Sequence, residues 1–272
     1  MNTRQSILRG AVAAAIATLL CVTAGAADSS AKPVPRLADG HPDFNGTWEN
    51  GSGYDFVKPQ KSADGSICIT GCAQPGGSAP APRVRVAPDR PVYKPEFMAK
   101  VKDLEKRQVQ TDPVLRCKSP GLPRIGPPDK IVQRPGEMAF LYDDVSGSFW
   151  RAIPTDGRKH RDDVDESYLG DAVAHWEGDT LVVETVNFNE DTWLTDDGAF
   201  HTKALKVTER LTRSGDTITW VATADDPKVL AQPWTLRPRT VTLSATELPE
   251  PVPCVEQDLS HVIDGSYHAN PR

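Results

Sequence analysis

The chain has 272 residues and sets 31 Lys and Arg against 37 Asp and Glu, a formal net charge of −6. That acidic balance excludes the electrostatic footprint of a nucleic-acid binder or of a protein held on anionic lipid, and leaves neutral or cationic small molecules open as partners. The length suits one large domain or two small ones.

The N-terminal stretch reads as an address. "MNTRQSILRG" supplies Arg4 and Arg9 as a positive lead, and "AVAAAIATLLCVTAGA" is an apolar run ending in Ala24-Gly25-Ala26. Together they predict a Sec-type signal peptide over 1–26, cleavage near Ala26 and a periplasmic or secreted protein. The run is shorter than the ~20 residues a bilayer needs and no later run approaches that length, so no membrane insertion is expected after cleavage. Cys21 does not suit a lipoprotein site, because Leu20 stands where a small residue is needed.

Residues 27–42 form a polar lead-in, and 43–272 is expected to be a single β-rich domain. "PDFNGTWEN", from Pro42 to Asn50, looks like the entry to a first strand. From 58 to 95 the chain is rich in Pro, Gly and Ser, which rules out a long regular element and predicts an extended arm. Pro95 to Gln110 is the expected helix: Pro95 fits a first helical position, and Phe97, Val101 and Leu104 share one face.

Beyond the helix the period falls to two. Runs at 137–143, 148–154, 171–176, 180–188, 204–211, 216–223 and 235–243 are separated by turn residues. Closely spaced strands with no helices between them predict an antiparallel barrel of lipocalin type or a sandwich. "GDT" occurs at Gly178-Asp179-Thr180 and again at Gly215-Asp216-Thr217, each time between strand-like runs. A Gly-Asp tip suits a tight hairpin, so Asp179 is read as a turn residue before a catalytic one.

Four cysteines follow the signal: Cys68, Cys72, Cys117 and Cys254. An even number in an oxidising compartment predicts disulfides, with three pairings open. Cys68 and Cys72 flank the short "ITG", which makes a local loop easy and leaves Cys117 with Cys254. No C-x-x-C pair occurs, so disulfides are preferred to a metal site, and neither metal nor cofactor is expected.

Strand alternation singles out a carboxylate. In "ALKVTERL", Glu209 shares a face with Leu205, Val207 and Leu211, so it must be paired, be neutral or line a cavity. Glu184 lies between Val182 and Val186 in the same way. The loop "PTDGRKHRDD" places Asp156, Arg158 and His160 just after a strand, where binding groups concentrate. His201 precedes the Glu209 strand. These residue types suit proton transfer and recognition of an oxygen substituent. No G-x-S-x-G elbow, P-loop or Rossmann glycine pattern is present.

The segments "PTDGRKH", "HWEGDTLVVETVNF", "HTKALKVTERL", "DDPKVL" and "CVEQDL" resemble a large family of exported bacterial β-rich proteins. Its members carry T-D-G-R-x-H, W-E-G-D-T-L-V-V, E-R, D-P and C-H-E-G-N motifs. The resemblance runs from about Asp43 to Gly265 and implies a β fold and an exported address, but no particular activity. It carries over Asp156, Arg158, His160, Trp176, Glu177, Gly178, Asp179, His201, Glu209, Arg210, Asp226, Trp234, Cys254 and Glu256. Of these, Asp156, Arg158, Arg210, Asp226 and Glu256 are the expected substrate-binding residues. The chain departs from the pattern at Val255, where the family has His, and at Asp258, where it has Asn. Gly46-Thr47-Trp48 also resembles the G-x-W start of lipocalin-like barrels, in which the Trp plugs one end.

The expectation is a small-molecule enzyme in which His160 and Glu209 act as acid and base, with His201 assisting and Arg158 orienting an oxygen. Lyase, isomerase and hydrolase chemistry all fit. A lipocalin-like carrier of a small organic ligand and an envelope interaction protein are the alternatives. An enzyme is expected to bring His160 and Glu209 within hydrogen-bond reach beside a cavity, and a carrier to have a cavity lined mainly by apolar and aromatic side chains. An interaction protein is expected to have no cavity, with Glu209 paired to an arginine or turned to solvent.

Overall fold

The structure, a computed structural model, describes residues 32–49, 60–61, 67–68, 90–250 and 253–254. The signal segment, the Cys68–Cys72 closure, Glu256 and most of the Pro/Gly-rich arm lie outside the described residues. The strands are β1 (Gly46–Glu49), β2 (Gln60–Lys61), β3 (Ile67–Cys68), β4 (Lys130–Arg134), β5 (Glu137–Asp144), β6 (Gly147–Pro154), β7 (Asp171–Glu177), β8 (Thr180–Val186), β9 (Lys206–Ser214), β10 (Thr217–Asp225), β11 (Trp234–Thr235) and β12 (Arg239–Ser244).

Apart from the β2–β3 pair, the strands form one sheet in the order β6-β5-β4-β1-β12-β10-β9-β8-β7, with β11 added to β10. It curls into a nearly closed antiparallel barrel, the mainly β class expected from the alternation. Every step from β6 round to β7 is antiparallel. Because the number of steps is even, β6 and β7 run in the same direction. They lie side by side with no ladder between them among the described residues. The barrel therefore has a seam.

Alternation fills the interior. On β10, Ile218, Trp220, Ala222 and Ala224 point inward, and each is at most 1% exposed. Ile218, Trp220 and Ala222 share a core cluster with Phe44, Trp48, Phe140, Tyr142 and Leu181. Truncating one of these aromatic side chains to Ala would cost on the order of 3–5 kcal/mol. Trp48 is a core residue: its indole N–H donates to the Phe44 carbonyl at 3.0 Å, and the Arg213 guanidinium lies 5.1 Å from its ring centre.

A second cluster, including Leu122, Phe188, Leu194, Phe200 and Leu230, packs under the connecting loops. The expected helix covers it with Phe97, Val101 and Leu104. That helix is broken: a 3-10 turn at Pro95–Phe97 leads into α1 (Met98–Lys106), and α2 (Gln108–Thr111) follows. At Arg107 the backbone N–H is shared between the Asp103 and Leu104 carbonyls, which tightens the turn and interrupts the α ladder. Two strand boundaries also differ from expectation. "KIVQR" forms β4, where no strand was expected, and 235–243 is divided because Pro238 offers no N–H to the ladder between β11 and β12.

Both Gly-Asp tips are two-residue hairpin turns, with Glu177 opposite Thr180 and Ser214 opposite Thr217. Gly178 and Gly215 have φ of +60° and +57°. Positive φ at the first central position is the type II′ geometry that suits strand twist. The tip aspartates hold the lead-in: Asp179 receives Arg36 at 2.8 and 2.6 Å, and Asp216 receives Lys32 at 2.9 Å. Nearby, His41 stacks on Trp176 at 4.5 Å. Cys117 is bonded to Cys254 across a sequence separation of 137. Among the described residues no helix is long and apolar enough to cross a membrane.

Candidate functional site

The expected pair of His160 and Glu209 is separated by the sheet itself. Glu209 lies inside the barrel with 0% exposure. One carboxylate oxygen accepts a hydrogen bond from the Trp220 indole at 3.0 Å, and the other is paired with the Arg151 guanidinium. Arg151 also donates to the Tyr142 hydroxyl at 2.9 Å and to Thr185 Oγ1 at 3.2 Å. Burial works against the charge on Arg151, but Glu209 and Tyr142 outweigh it and hold the guanidinium protonated. Burial also pushes the Tyr142 phenol up. Both carboxylate oxygens of Glu209 are thus engaged inside the buried network.

His160 is on the outside. It lies in the loop after β6, and its Nδ1 is 3.0 Å from Oδ2 of Asp171, the first residue of β7. Along β7 the inward positions are Ala172, Ala174 and Trp176, so Asp171 has the outward parity. Asp171 also receives the Arg161 backbone N–H at 3.2 Å and the Arg161 Nε at 3.0 Å. Burial opposes ionisation of its carboxyl, but the bonds from His160 and Arg161 together prevail and hold it below the ordinary carboxylate range. An ionised carboxylate only accepts, so Nδ1 of His160 carries the hydrogen and Nε2 of the neutral ring is a bare acceptor. That Nε2 is shielded from water and has no hydrogen-bond partner.

A cleft of about 210 Å³ opens beside the pair at the seam, lined by Ala152 and Pro154 of β6, Asp171 and Val173 of β7, and Lys159 and Arg161 of the loop. His160 sits between two lining residues and is bonded to a third. The volume is below the ~300–1,000 Å³ of pockets for drug-sized ligands, which restricts an occupant to a small molecule or one end of a larger one. The start of β7 depends on Gly170, whose φ is +68°. A Cβ there would stand 2.4 Å from the Val186 carbonyl oxygen, so no other residue fits without moving Asp171.

Of the other expected site residues, Arg158 also lines this cleft, together with Glu137 of β5; the rest lie elsewhere. Arg158 folds back on Asp156 with Nε 2.9 Å from Oδ1; this bond pushes the Asp156 carboxyl down to about 2 and leaves the Arg158 charge neutralised. Arg210 points outward to Glu177 at 2.5 Å, and Glu184 is on the same outer face with Lys206 at 2.6 Å. His201 is 2% exposed. Its Nδ1 donates to the Thr202 carbonyl at 3.1 Å, its Nε2 accepts from the Thr192 hydroxyl at 2.8 Å, and burial lowers its pKa. Asp226 accepts from the Thr202 N–H at 2.6 Å and the Lys228 N–H at 3.1 Å. His201 and Asp226 thus fix the Thr202 loop.

Asp171, which holds His160, and Arg151, which pairs with Glu209, are the partners that sequence reasoning did not single out. Arg151 shares a face with Phe149 and Ile153, the same parity signal that marked Glu209. Among the described residues no three His, Cys, Asp or Glu side chains are arranged to hold a metal ion. The chain matches no protein-family model, no curated protein and no solved structure.

Proposed function

We propose that the protein is an exported enzyme that performs acid–base chemistry on a small organic molecule at the barrel seam. His160 is the proton acceptor and donor, and Asp171 orients it in the place expected of Glu209. The pairing of Glu209 with Arg151 matches the interaction-protein expectation, but the cleft beside the His160 loop favours the enzyme over that reading. The supporting observation is the Nε2 of His160, left without a hydrogen-bond partner and held in one tautomer by Asp171, whose carboxylate lines a small cleft. A proton taken by Nε2 makes an imidazolium that the Asp171 carboxylate stabilises, and the same nitrogen returns the proton to a leaving group or a neighbouring carbon. Lys159 and Arg161 place positive charge where an oxygen would become negative. Proton abstraction next to a carbonyl, β-elimination and ester hydrolysis all use these steps.

The carrier reading needs room inside the barrel, and the aromatic filling by Trp48, Phe140, Tyr142 and Trp220 counts against it. The test is a screen of the full-length protein against aryl esters, lactones and β-hydroxy carbonyl compounds, with His160→Gln run in parallel. Turnover that falls about 100-fold or more in the variant supports the reading. Equal rates in the two proteins remove it.

A further inference from the structure

The seam cleft is bordered by a cation that the fold leaves uncommitted. Its lining includes the cationic side chains of Arg158, Lys159 and Arg161 and the carboxylates of Glu137 and Asp171. Arg158 is paired with Asp156, Arg161 with Asp171, and Glu137 with Arg134. Lys159 is exposed and makes no ion pair or side-chain hydrogen bond among the described residues. The chain as a whole is acidic, with a formal net charge of −6. A free ammonium at a concave site is therefore a local departure from its surroundings, and it attracts an anion there.

The charges also set the class of anion. One free ammonium balances one negative charge. A phosphate dianion would meet the carboxylates of Asp171 and Glu137 across the same space, with no second free cation to offset the repulsion. A carboxylate is a monoanion at neutral pH and accepts charge-assisted hydrogen bonds from an ammonium. The remaining wall includes Ala152, Pro154 and Val173, whose side chains offer apolar surface and no donors. That wall suits a short hydrocarbon body, and the cleft volume of about 210 Å³ limits its length. Lys159 directly precedes His160 in the chain, so a molecule held by the ammonium lies beside the loop that carries the base.

We infer that the seam site takes a small monocarboxylic acid, with Lys159 as the residue that selects its carboxylate. The inference rests on the acid–base reading of that site and adds the substrate class. The test measures binding, not turnover. Short α-hydroxy, β-hydroxy and α-oxo acids, their methyl esters and inorganic phosphate are titrated into the full-length protein. Backbone amide NMR shifts of residues 158–161 and 171 report occupancy. The expected result is that at least one acid binds, with its ester and phosphate weaker by about fivefold or more. Lys159→Met should weaken the acid by a similar factor and leave the ester unchanged, and Lys159→Arg should restore the acid. If no acid shifts these amides, the inference falls. It falls equally if the ester or phosphate binds as tightly as the acid, or if Lys159→Met has no effect. Acid binding that depends on Lys159, in a protein that turns over nothing, would remove the enzymatic reading and leave the carboxylate site. Turnover that needs His160 but shows no preference for acids would do the reverse.

Discussion

Arg151 of β6 and Glu209 of β9 are ion-paired inside the barrel, across the seam where β6 and β7 have no ladder among the described residues. The guanidinium passes the open edge between β6 and β7 and reaches Thr185 on β8 as well as Glu209. Side chains thus close a cylinder that the backbone leaves unpaired. The His160–Asp171 bond joins the loop after β6 to the start of β7 on the other side of the same seam.

Removing one partner of the inner pair strands the other. Arg151→Met should lower the unfolding free energy by about 3–5 kcal/mol, because a bare carboxylate is left in the core. The double variant Arg151→Met/Glu209→Leu should recover most of that loss. Urea unfolding of the three proteins checks both statements, and a double variant as unstable as the single one would contradict them.

Asp129 gives a pH signature of opposite sign to that of ordinary carboxylates. Burial, the largest influence, raises its pKa from 3.8 to about 6, against the bond it accepts from the Asp143 N–H. The folded state therefore holds a proton that the unfolded state has already lost, so stability falls as pH rises from about 4 to 6. Asp129→Asn should raise stability at pH 7 by on the order of 1–2 kcal/mol and have little effect at pH 4. Thermal melts at the two pH values read the difference.

The Cys117–Cys254 bond closes a long loop, at a separation of 137 residues. Chain entropy alone assigns such a closure about 4–5 kcal/mol. Reduction, or a Cys117→Ser/Cys254→Ser variant, should lower the melting temperature by several degrees without changing the far-ultraviolet circular dichroism of the remaining fold.

Gly170→Ala tests whether the site depends on the start of β7. The left-handed φ and the approach of the Val186 carbonyl both oppose a side chain, and the cost should be about 2 kcal/mol or more. Because Asp171 follows directly, the His160 ring should also lose its fixed orientation. Gly178→Ala also has positive φ but meets open space, and should cost stability without touching the His160 signals.

Much of the barrel was legible because alternation is a local signal: the Ile218, Trp220, Ala222 face of β10 and the Gly178 and Gly215 tips follow from the residues alone. β4 was missed because "KIVQR" is short and carries only two strong strand formers among polar neighbours. Parity placed Glu209 on the core face correctly. It could not say that the cation meeting it would come from β6, six pairings away along the sheet but close across the seam. His160 was found from its loop, whereas its partner was misassigned. Asp171 and Glu209 are both strand carboxylates of opposite parity, and only the fold shows which of them the His160 loop reaches. His201 and Asp226 resembled site residues because buried polar groups that pin a loop have the same composition as groups that bind a ligand.

The most direct test of the seam site is the tautomer of His160, read from its ring nitrogens by long-range nitrogen–proton NMR at about pH 8, where an ordinary imidazole is neutral. The account predicts the hydrogen on Nδ1 and a bare Nε2 in the wild type, with that preference lost in Asp171→Asn. A hydrogen on Nε2 in the wild type, or a ring unaffected by Asp171→Asn, would contradict it.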